Sequence, residues 1–260
     1  MTRVLSATVL LPILLGVVWF LPPFATLILA ELVLIAAFLE YADLAERLGA
    51  PFSRALSAAA VLGTCAVFGL APAMVLVMIM AATIGIAVVQ LSRWPQQQAL
   101  SAASTAAFAM LYLAVPLGSL VALRMAHGRE TLLLLLATVM VSDIAQYYGG
   151  RLVGRRPLAP MISPNKTAEG AVCGLVAGTL VMWGGGTWWL SDVAAGSRVL
   201  LGTTVAALGV AGDLFESAVK RNANVKDASQ VIPGHGGMLD RLDALLFAAP
   251  LYYTVVHLAR

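Results

Sequence analysis

One polar segment near the end of the sequence brings acids, bases and a histidine together. It runs from Ser217 to Asp243, SAVKRNANVKDASQVIPGHGGMLDRLD, in a chain of which only 11% of the residues are charged. Three glycines and Pro233 lie in the same segment and predict a turn with close backbone approach. Carboxylates can bind a divalent cation, and lysines and arginines can bind phosphate. These residue types therefore indicate phosphoryl or nucleotidyl transfer.

The acids on either side of this turn have helical spacing. Four residues at positions i, i+3, i+4 and i+7 share one predicted helix face: Asp213, Glu216, Ser217 and Lys220. Asp240 and Asp243 share a face of the next helix. Carboxylates that converge repel one another unless a cation lies between them, and a set of oxygen ligands suits Mg²⁺. The alternative is salt bridging at the helix ends, with Asp213 paired to Lys220 and Asp240 to Arg241, but it leaves the turn unexplained.

A second polar loop, residues 150–167, contains Arg151, Arg155, Arg156 and Lys166. These bases could bind phosphate, or they could act only as topology determinants. Ser163, followed by Pro164, is predicted to be the N-cap of a helix whose free N–H groups could hold phosphate. By contrast, Glu40 and the acids that follow it are predicted to form a solvated helix end.

The composition predicts the elements that must position these residues. The chain has 260 residues, 60% of them hydrophobic, and a mean hydropathy of +0.90. In a typical soluble domain about a quarter of the residues are charged. The predicted fold is all-α, a polytopic integral membrane protein with about nine transmembrane helices. The predicted spans are 4–21, 24–39, 56–70, 72–92, 102–123, 131–149, 168–190, 197–218 and 241–258.

These spans predict two regions and an orientation. Residues 1–125 would form an N-terminal region of about five spans, and residues 126–260 a catalytic region of about four spans with two cytoplasmic loops. A cytoplasmic N-terminus places twelve of the 16 lysines and arginines inside, as the positive-inside rule requires. Both polar loops then face the cytoplasm. The net charge of +3 is too small to indicate a nucleic-acid partner.

The polar segment resembles a known family. Its pattern, S-x-V-K-R-x4-K-D-x-S-x2-I-P-x-H-G-G-M-x-D-R-L-D, is similar to that of the phosphatidate cytidylyltransferases, also called CDP-diacylglycerol synthases. A second block resembles the family through Ser142-Asp143, Tyr147, Gly154, residues 163–167 and Glu169-Gly170. The resemblance is specific over about residues 140–245.

The resemblance implies transfer of CMP from CTP to phosphatidate, with Mg²⁺ as cofactor and pyrophosphate as the second product. It also implies a bacterial inner-membrane enzyme with a cytoplasmic active site that can form a homodimer. The metal ligands it implies are Asp213 and Asp240, with Asp243 and Asp227 as further candidates. The phosphate-binding or catalytic residues it implies are Lys220, Arg221, Lys226 and Arg241. His235 would either donate to a phosphate oxygen or brace the glycine turn. The substrate pocket it implies contains Asp143, Ser163, Asn165, Lys166, Ser217, Gly236 and Gly237.

Two other functions fit parts of the sequence. A CTP-dependent lipid kinase would transfer the γ-phosphate and release CDP. A secondary transporter could use Glu31, Asp143 and Asp213 as an ion path, but it predicts acids spread through the membrane depth. Here the acids crowd at one end of their helices, which favours a surface-facing site.

Overall fold

A computed structural model of the chain describes residues 2–229 and 236–260, with side chains from Leu11 onward except Gln96. The helices are α1 (Thr2–Phe20), α2 (Pro23–Arg47), α3 (Arg54–Leu70), α4 (Val75–Arg93), α5 (Gln96–Ala109), α6 (Val115–Val153), α7 (Ala168–Trp189), α8 (Ala195–Asn222) and α9 (Leu239–Ala259). A short 3₁₀ turn (Pro72–Met74) precedes α4, and a π-helical turn (Met110–Ala114) joins α5 to α6. The two strands are β1 (Pro157–Ala159) and β2 (Ser163–Thr167).

The helices confirm the predicted all-α membrane architecture, but they do not confirm the count of nine spans. Among the described residues, six helical segments are long and apolar enough to cross a membrane. They are Pro23–Arg47, Pro72–Arg93, Gln97–Val153, Ala168–Trp189, Ala195–Asn222 and Leu239–Ala259. Two further apolar helices, Leu11–Phe20 and Arg54–Leu70, are shorter. Two predicted spans also lie within the single segment 97–153, which is interrupted by Gly128 at φ 86°.

The chain divides into two compact units. The first consists of Met1–Met125 and Asn222–Arg241. Its core includes an aromatic cluster in which Tyr41 of α2 contacts Phe52, Phe108 and Tyr112. The Tyr41 hydroxyl donates to the Thr105 carbonyl oxygen at 2.9 Å. Aromatic packing and this hydrogen bond therefore fix the C-terminal half of α2.

The second unit consists of Ala126–Arg221 and Leu242–Arg260. Buried glycines on α7 allow its neighbours to approach closely. A Cβ at Gly174 would meet the Gln146 side chain of α6, and one at Gly178 would meet Ala206 of α8. This packing holds α6 and α8, and the acids on them, against α7.

The second polar loop folds as a β-hairpin rather than as the start of a helix. β1 and β2 are antiparallel, with Pro157 opposite Thr167 and Ala159 opposite Ser163. The prediction that Ser163 is an N-cap was therefore wrong. Thr167 caps α7 instead, because its side chain accepts a hydrogen bond from the Gly170 N–H at 3.2 Å. The proline after Ser163 suits a short two-stranded ribbon as well as a first helical turn.

Candidate active site

A cluster of three carboxylates lies where α8 and α9 meet within the second unit. Asp213 and Glu216 come from α8 and Asp243 from α9, and one oxygen of each lies within 4.8 Å of the others. The helices approach closely because Gly212 has no side chain, and a Cβ there would collide with the Asp243 carbonyl oxygen. Glu216 is only 1% exposed. We call these three acids the carboxylate cluster.

Two lysines flank the carboxylate cluster. Lys166 Nζ lies 2.5 Å from Asp213 Oδ1 and 3.4 Å from Ser217 Oγ. Lys220 Nζ lies 2.6 Å from Glu216 Oε2, one helical turn away. The predicted common face of α8 is therefore present. The salt-bridge alternative had paired Asp213 with Lys220, whereas the structure pairs Asp213 with Lys166.

The composition of the cluster fits a divalent cation such as Mg²⁺. Its donors are carboxylate oxygens, which Mg²⁺ and Ca²⁺ prefer over nitrogen and sulfur. Lysines pair with Asp213 and Glu216, whereas the one hydrogen bond described for the Asp243 side chain comes from the Ala244 N–H at 2.8 Å. Three acids thus share two described lysine partners. The described carboxylates therefore outnumber their described lysine partners, which suits the binding of a cation.

Two further predicted site residues lie on helices of the same unit, Asp143 on α6 and Arg221 on α8. Asp143 of α6 accepts a hydrogen bond from Gln146 at 3.3 Å and lies within electrostatic range of Asp213 and Lys166. Arg221, in the last turn of α8, donates from Nε to the Ile162 carbonyl oxygen at 3.4 Å. This bond ties the hairpin turn to α8 and helps to place Lys166.

Two predicted pocket residues lie on β2, the strand that also contains Lys166. Ser163 is partly buried and Asn165 is exposed. They lie close to Lys166 along the chain, but the structure gives them no described side-chain contact with the cluster. Their role in a nucleotide pocket remains a prediction.

The glycine turn lies in the first unit, beside the start of α9. Asp240 Oδ2 accepts hydrogen bonds from the Ala228 N–H at 3.0 Å and the Gly237 N–H at 2.7 Å. Gly236 has φ +80°, a conformation that L side chains rarely adopt. In the described part of the predicted turn, Gly236 and Gly237, the backbone therefore does approach another group closely, and that group is the Asp240 carboxylate.

The other predicted residues of this segment are near the turn. Lys226, Asp227 and Arg241 are exposed, and the Asp227 Cβ lies beside Gly236. Asp227 and Asp240 remain predicted metal ligands. His235 lies outside the described residues.

Substitution of Gly237 tests how closely the turn is packed. A Cβ at this position would lie 2.5 Å from Glu40 Oε2, closer than real Cβ atoms come to other heavy atoms. We expect Gly237→Ala to lower both the thermal midpoint and the activity, the latter by about tenfold or more, because a buried carboxylate must move. Gly184→Ala is the matched control, since nothing lies within 4 Å of a Cβ at that position. Equal thermal midpoints and activities for both variants would contradict the described packing.

Sequence reasoning missed two acids. Glu216 was placed on the correct helix face but not among the metal ligands, although the spacing that selected Asp213 applies to it equally. Glu40 was predicted to be solvated, which was wrong because it is 3% exposed. Its partners lie almost 200 residues later in the chain, as with the Leu239 N–H. No local pattern could have revealed them.

Apolar helices combined with a lysine-flanked carboxylate cluster define an integral membrane protein with a candidate metal- and phosphate-binding site. The sequence pattern of the Cytidylyltransferase family matches residues 1–259. The chain belongs to this family.

Named relatives make the similarity more specific. The chain is 40% identical to the phosphatidate cytidylyltransferase of Haemophilus influenzae over 131 residues, which is 48% of this chain and 45% of that protein. It is 44% identical to the phosphatidate cytidylyltransferase of Synechocystis over 134 residues, 50% of this chain and 44% of that protein. For the phosphatidate cytidylyltransferase of Brucella suis the identity is 44% over 129 residues, 48% of this chain and 46% of that protein. The chain thus spans about half the length of the curated relatives it matches.

Proposed function

We propose that the protein transfers CMP from CTP to phosphatidate, giving CDP-diacylglycerol and pyrophosphate. The observation that supports this most directly is the carboxylate cluster with Lys166 and Lys220 beside it. Such an arrangement suits two phosphorylated substrates that must approach one another despite their negative charges. Family membership and the names of the relatives support the same reaction.

In the proposed reaction, an oxygen of the phosphatidate phosphate forms a bond to the α-phosphorus of CTP. The bond from that phosphorus to the oxygen bridging the β-phosphate breaks, and pyrophosphate leaves with the electron pair. The attacking oxygen is already anionic near neutral pH, so no strong general base is required. The protein contributes chiefly by positioning the two substrates and by balancing charge.

The lysines would neutralise the substrates. Lys166 is held between Asp213 and Ser217, which keeps its ammonium group at the edge of the cluster. Lys220, only 12% exposed, is oriented by Glu216. Both ammonium groups would donate hydrogen bonds to phosphate oxygens. Arg221, Lys226 and Arg241 are further candidates for the triphosphate or the lipid headgroup.

Asp213, Glu216 and Asp243 would hold Mg²⁺. When bound, the ion would offset charge on the reacting phosphates and on the departing pyrophosphate. Asp143 would contribute to the polar wall on the α6 side. Asp240, at the start of α9, and Asp227, in the segment before it, are further candidates for binding the ion.

We further propose that the protein resides in the bacterial inner membrane with the site and the N-terminus facing the cytoplasm, and that it can form a homodimer. The distribution of lysine and arginine supports this orientation. A cytoplasmic site would give direct access to CTP, while phosphatidate could enter from the bilayer.

The decisive assay uses purified protein, CTP, phosphatidate in mixed micelles and Mg²⁺. Two samples of CTP are compared, one labelled in the cytosine and one at the γ-phosphate. We expect the cytosine label to enter the lipid and the γ-label to appear in pyrophosphate. Transfer of the γ-label to the lipid would instead identify a lipid kinase, and no lipid product would contradict both activities.

A further inference from the structure

Glu40 differs from Asp43 and Glu46, the acids that follow it on α2, in being almost completely buried. Glu40 as a whole residue is 3% exposed. The side chains of Asp43 and Glu46 are 60% and 66% exposed. Those two acids pair with Arg54 at the surface. A carboxylate is costly to bury unless its oxygens are hydrogen-bonded, so Glu40 needs specific partners.

The partners of Glu40 are three donors from the segment that leads into α9. Its Oε1 accepts hydrogen bonds from Ser229 Oγ at 2.5 Å and from the Met238 N–H at 2.8 Å. Its Oε2 accepts one from the Leu239 N–H at 2.7 Å. The N–H groups at the start of a helix have no partner within the helix. Glu40 therefore caps α9 from a different helix, where a negative charge also suits the helix dipole.

Asp240 completes the arrangement from the opposite direction. Its Oδ2 accepts hydrogen bonds from the Ala228 and Gly237 N–H groups. Glu40 and Asp240 together thus fasten two stretches of chain, Ala228–Ser229 and Gly237–Leu239. We call these two acids the carboxylate clamp.

We propose that Glu40 is a positioning residue for the cytidylyl transfer proposed above: it fixes the first turn of α9, and so the direction in which that helix presents Asp240, Arg241 and Asp243. Both Glu40 oxygens are engaged by protein donors, so its role is exerted through α9 rather than by contact with substrate. Asp243 lies one turn after Asp240 on the same helix. A change in the start of α9 would therefore be transmitted to a member of the carboxylate cluster.

The test compares Glu40→Gln and Ser229→Ala with Glu46→Gln, an exposed acid on the same helix. A glutamine at position 40 turns an NH₂ group toward at least one N–H donor and removes the charge. We expect Glu40→Gln to lower kcat by about 10- to 100-fold and to raise the Mg²⁺ concentration needed for half-maximal activity, as loss of a group that orients metal ligands does. Ser229→Ala removes one of the three bonds and should shift both quantities in the same direction by less. Glu46→Gln should behave as the unmodified protein.

Three further measurements separate positioning from stability and from the proposed reaction. The thermal midpoint and the fraction of protein that binds CTP give the amount of folded enzyme, and kcat is calculated for that fraction. A normal kcat and Mg²⁺ response per folded Glu40→Gln molecule would overturn the proposal, because Glu40 would then serve stability alone. Amide hydrogen exchange is measured for the peptide containing Met238 and Leu239, and faster exchange in Glu40→Gln is expected.

The exchange measurement does not depend on which reaction the protein catalyses. If the unmodified protein made no CDP-diacylglycerol, the proposed function and the catalytic part of this inference would both fail, although the cap itself could still be detected. If exchange at Met238 and Leu239 were unchanged in Glu40→Gln, the inference would fail even in a fully active enzyme.

Discussion

Replacing Asp213 by asparagine is expected to lower CDP-diacylglycerol formation by about 10³-fold or more while the protein still inserts into the membrane. Asp213 is a member of the carboxylate cluster and also the ion-pair partner of Lys166. Asparagine preserves its size but removes the charge that would bind Mg²⁺ and orient the lysine. The measurement is initial rate against Mg²⁺ concentration in purified protein.

The activity of Asp213→Asn should also depend on Mg²⁺ concentration in a characteristic way. We expect high Mg²⁺ concentrations to recover only part of the lost rate, because one of the metal's protein ligands would be a neutral amide. Asp192→Asn is the control, since this acid is 64% exposed and pairs with Arg260 away from the cluster. Full activity of Asp213→Asn at ordinary Mg²⁺ concentrations would remove Asp213 from the metal assignment.

Lys166→Met should lower kcat/KM for CTP by about 10²-fold or more, because a charged donor for a phosphate oxygen is lost. The structure places this lysine on β2 but directs its ammonium group to two residues of α8, Asp213 and Ser217. Methionine keeps much of the aliphatic side chain. Loss of the substrate-binding charge should therefore dominate over loss of packing.

Kinetics can distinguish the two members of this ion pair. Lys166→Met should mainly raise KM for CTP or for phosphatidate, because the lysine would bind a phosphate of one of them. Asp213→Asn should mainly lower kcat and raise the Mg²⁺ concentration needed for activity. Arg129→Met, which removes a partly buried cation paired with Glu130, is the control. The double variant should lose less than the product of the two single losses, since each single change also disturbs the remaining partner. Strictly multiplicative losses would show that the pair has no functional coupling.

Features that depend on a few neighbouring residues were predictable. Most helices lie close to the predicted spans, although two predicted spans fall within the single segment 97–153. The spacing of Asp213, Glu216, Ser217 and Lys220 does place them on one face of α8. The glycine turn was also expected, and Gly236 has the positive φ that such a turn requires. Its closest carboxylates, however, come from Asp240 and Glu40.

Local sequence patterns were ambiguous where the same residues are compatible with two different local structures. Ser163 followed by proline fits a helix start and also a short strand, and pairing with β1 selected the strand. Glu40, Asp43 and Glu46 form one acidic stretch of α2, and nothing in their spacing identifies the buried member. The donors from Ser229, Met238 and Leu239 decide that it is Glu40.

Hydropathy and helical spacing were enough to predict an all-α membrane protein with a polar segment at one end of its last two helices. Hydropathy and helical period are properties of short stretches, so they do not depend on how the chain packs. Only tertiary contacts pair Lys166 with Asp213, bring Glu216 to Asp213 and Asp243, and place the Glu40 carboxylate at the start of α9. These contacts join residues far apart in the chain, such as Lys166 and Ser217 at 51 positions or Glu40 and Leu239 at 199, and only the packing of the helices brings them within hydrogen-bonding distance.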